Sequence, residues 1–185
     1  MRSAKDYLSN LKDGRTIYIN GEAVGDVTTH HAFRNVAGSM AGLFDFASAP
    51  ANKELMTFEV DGGRANRIWQ LPTSYADLVE RRKALEAWAS LHSGFMGRAP
   101  DHVASCISGL YMGLDVFKAY DPARAGALES YYRYARDNDL YLTCVIINPQ
   151  AERSKGAGEQ ADPFLTAGVV DKDAEGITIR GAKML

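Results

Sequence analysis

The sequence has no long apolar run, no excess of either charge and few cysteines, and each of these absences excludes a class of protein. No segment approaches the roughly 18 consecutive apolar residues that a membrane-spanning helix requires. Lys and Arg number 21 against 23 Asp and Glu, a net charge of −2, so no basic excess indicates nucleic acid or a membrane surface as a partner. The first few residues lack the apolar stretch of a secretory signal.

Cysteine and histidine are too few, and too poorly spaced, for a disulfide framework or a metal site. The two cysteines, Cys106 and Cys144, stand far apart in a chain of 185 residues, which predicts reduced thiols and a cytoplasmic protein. Of the four histidines, His30 and His31 are adjacent and the others are distant, so we expect no bound metal. The glycine-rich phosphate loop and the G-x-S-x-G turn of serine hydrolases are also missing.

Helical patterns fill most of the chain up to about residue 138. Ser74 is placed to cap a helix, and Asn20-Gly21 predicts a tight hairpin, because a type I′ turn needs positive φ at both central residues. A second, short strand pair is predicted at residues 55–60 and 67–71. A helix that opens near residue 100 carries apolar residues at helical spacing, which predicts one buried stripe: Val103, Cys106, Ile107, Leu110, Leu114 and Phe117.

Strand patterns replace the helical ones after Asp139. Residues 140–148 are rich in β-branched and aromatic side chains, which predicts a strand. Two further strands are predicted at residues 166–171 and 176–180, with a turn over residues 172–175 between them.

These patterns together predict an α+β protein of two parts. Residues 1–138 form a mainly helical amino-terminal domain with a short β-hairpin, and residues 139–185 form the first strands of a β domain. Because the last strand would keep an unpaired edge, we expect the chain to be a fragment of a longer polypeptide.

Two polar segments are candidates for a functional site. Arg98, Asp101 and His102 lie at a helix entrance, which attracts anions and could hold a phenolate or a carboxylate. The residues alone favour the alternative, in which Asp101 caps the helix, Arg98 pairs with a surface acid and His102 is solvated. Residues 148–153 follow a predicted strand and either hold a ligand or form an ordinary turn, which the residues alone favour. Cys144 is expected to be a buried, inert thiol.

Five segments in register resemble the 4-hydroxyphenylacetate 3-hydroxylase family, the large oxygenase component of two-component phenol monooxygenases. They are spread over the whole chain: Asp13–Glu22, Asp26–Asn35, Gly94–Asp101, Asp139–Gln150 and Gly181–Leu185. The resemblance covers only the amino-terminal part of such proteins. It implies an acyl-CoA-dehydrogenase-like fold, with a helical amino-terminal domain, a middle β domain and a carboxy-terminal bundle that forms a homotetramer.

The resemblance also implies a cytoplasmic enzyme of aromatic hydrocarbon catabolism. A separate flavin reductase would supply reduced FAD, which reacts with oxygen to a flavin C4a-hydroperoxide that hydroxylates a phenol of the 4-hydroxyphenylacetate type. Such a protein must exclude water and favour the phenolate.

The family's functional residues carry over to two segments of this chain. Arg98 and His102 would be catalytic. The substrate-binding residues would be Arg98, Ala99, Pro100, Asp101, His102 and Cys144. The flavin-binding residues would be Cys144, Val145, Ile146, Gln150, Ala151, Glu152 and Arg153. The 4-hydroxyphenylacetate enzymes have Tyr at position 102 and His at position 144, so the chain departs from their pattern at both.

Three alternatives remain open from the sequence. Related enzymes of the same family act on chlorophenols or nitrophenols, and the departures at His102 and Cys144 make these substrates candidates. A 4-hydroxybutyryl-CoA dehydratase shares the fold but needs several cysteine ligands for an iron–sulfur cluster, whereas this chain has two cysteines in all. The last alternative is a non-catalytic, truncated structural fragment.

Overall fold

The computed structural model describes residues 1–174 and 176–184, which divide into two compact units. Unit 1 is Met1–Leu142 and unit 2 is Thr143–Leu185. The division into domains at 1–138 and 139–185 stays a prediction, because it concerns the longer protein. Among the described residues, no helix combines the length and the apolar character needed to cross a membrane.

Unit 1 is built from helices joined by two β-hairpins and two 3-10 turns. The hairpins are β1 with β2 and β3 with β4, each antiparallel, and the 3-10 turns are Pro50–Asn52 and Arg67–Trp69. The strands are β1 (Ile17–Ile19), β2 (Glu22–Val24), β3 (Thr57–Val60) and β4 (Gly63–Asn66). The helices are α1 (Ala4–Asn10), α2 (Arg34–Ser48), α3 (Lys53–Met56), α4 (Tyr75–Leu91), α5 (Asp101–Met112), α6 (Leu114–Tyr120) and α7 (Pro122–Asp137).

Local sequence signals set many of these boundaries. Ser74 caps α4 in a capping box with Asp77, since each side chain accepts a backbone N–H of the other. Asp121 caps α7 ahead of a proline in its first turn. Asn20 and Gly21 have φ of 51° and 85° between β1 and β2, which confirms the predicted type I′ hairpin.

The core of unit 1 is aromatic. Phe44 on α2 stacks on Tyr7 of α1 at 5.1 Å between ring centroids and meets Trp88 of α4 edge-on at 6.5 Å. Tyr132 of α7 lies edge-on to Trp69 at 6.3 Å. Large apolar side chains that are fully buried each contribute about 1.5–3 kcal/mol, so these rings hold α1, α2, α4 and α7 together.

The 3-10 turn Arg67–Trp69 is the hub of unit 1, where the sequence predicted a strand over residues 67–71. The Asn66 side chain accepts the Ile68 N–H at 3.3 Å, which bends the chain out of β4. The carbonyl of Ile68 then accepts from Arg81 at 2.9 Å, and that of Trp69 accepts from Tyr132 at 2.7 Å. The strand prediction was wrong because side chains from α4 and α7, and not a neighbouring strand, satisfy this backbone.

Helix α5 buries a different face from the one that the apolar stripe predicted. Its buried residues are Ala104 and Ser108, whereas Cys106 is exposed and Leu110 keeps 44% of its surface. The helix also ends at Gly113, one residue before α6 begins. The prediction holds for Ile107, which packs against the core, and for Leu114, which is buried. It is wrong for Cys106, Leu110 and Phe117, which are exposed. Small side chains allow α5 to approach the turn Arg67–Trp69 closely, and the periodicity of large apolar residues does not register this.

Asp139 joins the end of α7 to the start of the chain. It is 2% exposed, with a φ of 48°, and its carboxylate accepts the backbone N–H of Arg2 at 3.2 Å. Burial raises the pKa of the Asp139 carboxyl, against the opposing effect of the Arg2 hydrogen bond. The last turn of unit 1 is therefore fixed by the amino-terminal residues.

Unit 2 contains an antiparallel strand pair, β5 (Gly168–Lys172) and β6 (Ile177–Arg180), with an irregularity between Val169 and Asp171. These elements confirm the strands predicted at residues 166–171 and 176–180. Glu175 of the predicted turn lies outside the described residues.

The strand predicted over residues 140–148 is wrong. In that range only Ile147 has a bridge partner, Met184. A strand requires a paired neighbour, and none of the other described residues supplies one here, so β-propensity alone did not produce a strand.

Candidate functional site

The segment that carries Arg98 is a loop between α4 and α5. Ser93 and Gly94 turn the chain with φ of 52° and 74°, and the backbone N–H of Met96 donates to Nδ1 of His92 at 3.1 Å. Arg98 is exposed, whereas Pro100 is fully buried and anchors the entrance of α5. The exposed Arg98 therefore lies two residues from a buried residue that fixes the loop.

Asp101 and His102 lie in the first turn of α5. The N-cap is Pro100, without a side-chain cap hydrogen bond, so the interpretation of Asp101 as the cap was wrong. His102 is exposed and its N–H donates to the carbonyl of Ala99 at 3.0 Å. All five of the predicted unit 1 site residues thus form one continuous corner, from Arg98 to His102.

Arg81 is linked to this corner through Ser105, and the sequence did not predict its role. Its guanidinium donates to Oγ of Ser105 at 2.7 Å, and that hydroxyl donates to the carbonyl of Asp101 at 2.6 Å. Burial lowers the pKa of Arg81, which the charge of Asp101 partly opposes. An arginine in the middle of a helix resembles a surface residue, and no sequence signal marks this one.

Unit 2 contains a cavity of about 370 Å³ that is lined by three of the seven predicted flavin-binding residues. Gln150, Glu152 and Arg153 line it, while Ala151 is not among its lining residues. The other lining residues are Ile147, Asn148, Pro149, Lys155, Ala157, Gln160 and Thr166. The loop that follows turns back to this segment, because the Gln160 side chain is hydrogen-bonded to the backbone of Glu152.

Gln160 organises this loop. Its side-chain amide donates to the carbonyl oxygens of Glu152 and Lys155 at 3.0 and 3.2 Å, and its oxygen accepts the Glu152 N–H at 3.4 Å. The Glu152 carboxylate in turn pairs with Lys155 at 2.8 Å. Gln160 was not a predicted site residue, because its ten-residue distance from Gln150 gives no pattern.

Cys144, Val145 and Ile146 lie in an extended segment of unit 2. Cys144 is half-buried, not fully buried as predicted, since no sheet covers the segment in the described part of the chain. Val145 and Ile146 are exposed, and Nζ of Lys183 donates to the carbonyl of Ile146 at 3.4 Å. The described residues contain no group of three or more His, Cys, Asp or Glu side chains that could hold a metal ion.

Comparison with known proteins gives consistent matches over nearly the whole chain. Residues 3–185 match the family described as 4-hydroxyphenylacetate 3-hydroxylase N terminal. The oxygenase component of 4-hydroxyphenylacetate 3-monooxygenase from Geobacillus sp. (strain PA-9) is 36% identical over 185 residues, which is 100% of this chain and 37% of that protein. The oxygenase component of 4-nitrophenol 2-monooxygenase from Rhodococcus sp. is 38% identical over 183 residues, covering 97% of this chain and 34% of that protein.

A solved structure shares the fold. The crystal structure of the oxygenase component of 4-hydroxyphenylacetate 3-monooxygenase complexed with FAD and 4-hydroxyphenylacetate superposes with a TM-score of 0.87 at 34% identity, over 100% of this chain and 38% of that one. The mainly helical fold with small two-stranded sheets is therefore confirmed. The chain belongs to the 4-hydroxyphenylacetate 3-hydroxylase family and spans little more than a third of the length of the relatives it matches.

Proposed function

We propose that this chain is the amino-terminal part of a reduced-FAD-dependent monooxygenase that hydroxylates a phenolic substrate. The observation that carries the proposal is the cavity of unit 2, because it brings together Gln150, Glu152 and Arg153, to which the family resemblance gives flavin contacts. A solved relative was complexed with FAD, which supports the same cofactor here.

The lining of the cavity fits a flavin ring system. At about 370 Å³ its volume lies at the lower end of small-molecule pockets, which run from about 300 to 1,000 Å³, so it suits part of a dinucleotide. Asn148 and Gln150 offer amide groups for the polar edge of the ring, and Ile147 and Pro149 offer apolar contact. Arg153 adds a cation of the kind that phosphate groups prefer.

Arg98 is proposed to bind the phenol oxygen, with His102 as the second catalytic group of the same corner. A nearby cation stabilises the ionised form of a phenol and lowers its pKa, which makes the ring carbons more electron-rich. Reduced FAD, when bound, supplies the oxygen-transfer chemistry. The chain's own residues have the tasks of binding the substrate, orienting it and excluding water.

The proposed substrate is a simple phenol of the 4-hydroxyphenylacetate type, with a nitrophenol or chlorophenol as the second candidate. The second candidate is favoured by the departures at His102 and Cys144 and by the 38% identity to a relative named for 4-nitrophenol. We further propose a separate flavin reductase as partner, since the relatives are named as oxygenase components. A cytoplasmic homotetramer is proposed for the full-length protein.

The activity is tested on the full-length protein by mixing it with reduced FAD, oxygenated buffer and a panel of phenols. Flavin reoxidation that differs from the rate in free solution, together with a hydroxylated product from one class of phenol, is the expected result. Reoxidation at the free rate with no hydroxylated phenol would contradict the proposal and favour the dehydratase or structural alternatives.

Replacing Arg98 with alanine in the full-length protein is expected to uncouple oxygen use from product formation. A single preorganised charged donor contributes about 10²–10³ in kcat, so hydroxylation should fall by roughly 100-fold while hydrogen peroxide release rises. An oxygen electrode and chromatography of the product measure the two. Arg82→Ala is the matched control, because Arg82 is exposed on α4 and paired with Glu86 at 2.7 Å. Unchanged coupling and substrate affinity in Arg98→Ala would refute the assigned role.

Replacing Cys144 with histidine is expected to shift the substrate preference toward 4-hydroxyphenylacetate. Histidine is the residue that the 4-hydroxyphenylacetate enzymes have here, and a site that hydrogen-bonds a polar group discriminates strongly against substrates lacking it. Relative kcat/KM across the phenol panel measures the shift. Cys106→His makes the same change at the other cysteine, which is exposed on α5, and should leave the ranking of phenols unchanged. The same ranking in wild type and Cys144→His would show that position 144 does not read the substrate.

A further inference from the structure

We propose that Tyr141 is a positioning residue for Arg98, because its hydroxyl holds the loop that carries this arginine. The phenol oxygen of Tyr141 donates a hydrogen bond to the main-chain carbonyl of Arg98 at 3.0 Å, across 43 residues of sequence. The inference rests on the proposed function, in which Arg98 binds the phenolic substrate. Tyr141 does not itself reach the reacting atoms in this assignment.

Two hydrogen bonds in the loop's first half are local. Met96 N–H donates to Nδ1 of His92, and Phe95 N–H donates to the carbonyl of the same histidine at 3.0 Å. Both bonds fold the loop back on the end of α4, and the Phe95 side chain is 92% exposed. The bond from Tyr141 is different, since its donor comes from the last residues of unit 1 in sequence and its acceptor is the carbonyl of Arg98 itself.

Tyr141 is held firmly enough to act as an anchor. Its ring lies 6.3 Å from that of Tyr7, which is stacked on the buried Phe44. It also forms part of the wall of an apolar cavity of about 210 Å³, shared with Phe33 and Met40. Burial raises the pKa of the Tyr141 hydroxyl, so it stays protonated and remains a donor at neutral pH.

The hydroxyl therefore fixes the Arg98 backbone relative to the core formed by α1 and α2. Catalytic side chains must be held to within about 0.5 Å of their productive position, and an exposed loop with local hydrogen bonds does not ensure this by itself. A displaced Arg98 would stabilise the phenolate less, so the pKa of the bound phenol would move back toward its value in water.

The experiment compares Tyr141→Phe with Tyr7→Phe. The first variant removes the hydroxyl that binds the loop and keeps the ring in the cavity. The second removes a hydroxyl from the neighbouring ring of the same cavity, which makes it a matched control. Hydrogen exchange of residues 95–99, followed by mass spectrometry, should be about two- to tenfold faster in Tyr141→Phe, the range for loss of one hydrogen bond. Tyr7→Phe should exchange as wild type does.

A pH profile of the full-length protein separates positioning from general stability. In Tyr141→Phe the rise of kcat with ionisation of the bound phenol should move to higher pH by about 0.3 to 1 unit, because Arg98 lowers the pKa of the bound phenol less. Unchanged exchange in Tyr141→Phe, equal acceleration in Tyr7→Phe, or an unmoved pH profile would each overturn the inference. A wild-type protein that hydroxylates no phenol overturns the proposed function and the purpose given to Tyr141, and the exchange result then shows separately whether Tyr141 holds the loop.

Discussion

Replacing Gly181 with alanine is expected to disrupt unit 2 and the cavity within it. A Cβ at this position would overlap the carbonyl oxygen of Thr166 and lie 2.8 Å from Cα of Ala167, which no real contact allows. Gly181 also has a φ of +120°, which side chains rarely adopt. Strain of this kind costs about 1–3 kcal/mol, and the backbone overlap adds to it, so a loss of about 3 kcal/mol or more is expected.

The first contacts to be lost are those around the cavity. Thr166 bridges Ala182 in parallel, the Ala167 N–H donates to the carbonyl of Ala182 at 3.2 Å, and Thr166 lines the cavity. Hydrogen exchange at Ala167 and Met184 should therefore accelerate by about 100-fold or more. Gly168→Ala is the matched control, because nothing lies within 4 Å of its added Cβ and its φ is ordinary. Equal exchange in the two variants would show that the chain relaxes around residue 181 at little cost.

Replacing Arg67 with alanine is expected to destabilise unit 1 by about 3–4 kcal/mol. The guanidinium, in a side chain that is 8% exposed, donates to the carbonyl oxygens of Glu54, Leu55 and Thr57 at 2.7, 2.7 and 2.6 Å. It also donates to the side chain of Gln70 at 2.9 Å. Removing it leaves three carbonyls without this donor, and hydrogen bonds from a charged group contribute about 1.5–3 kcal/mol each, an effect only partly additive.

Urea unfolding followed by tryptophan fluorescence measures this loss. Trp69 and Trp88 are the two tryptophans of the chain and both are buried in the unit 1 core, so the signal reports on this unit. Arg67→Met keeps most of the side-chain volume and should lose nearly as much stability, which separates hydrogen bonding from packing. Arg82→Ala removes an exposed arginine of α4 and should change the free energy by no more than about 0.5 kcal/mol. A loss below about 1 kcal/mol in Arg67→Ala would show that water replaces the lost donor.

The features that the sequence predicted correctly depend on neighbouring residues. Ser74 and Asp77 close a capping box within one turn of α4, and Asn20-Gly21 fixes its hairpin through two φ angles. The strands of the β5–β6 pair followed from a short alternation of residue types. The residue pattern placed Arg98, Asp101 and His102 at a helix entrance, and the structure has them at the start of α5.

The features that the sequence missed depend on partners far away in the chain. The turn Arg67–Trp69 exists because Arg81 and Tyr132 bind its carbonyls, and no local signal distinguishes it from a strand. Residues 140–146 have the composition of a strand without a paired neighbour among the described residues. Gln160 and Tyr141 have no motif. Gln160 matters through its hydrogen bonds to Glu152 and Lys155, and Tyr141 through one contact with Arg98, 43 residues away in sequence.

The sequence by itself therefore determined the mainly helical character of the first part of the chain, the cap at Ser74, the tight hairpin and the family. Each of these is set by the backbone preferences and hydrogen bonds of residues within a few positions of one another, or by motifs in order along the chain. Only the tertiary structure decided which helix faces are buried, that Arg67 and Arg81 bind backbone and side-chain acceptors inside unit 1, and that Gln160 binds back to the backbone of Glu152. The physical reason is that burial and long-range hydrogen bonds depend on which groups meet after folding, and the spacing of residues along a single chain does not specify these partners.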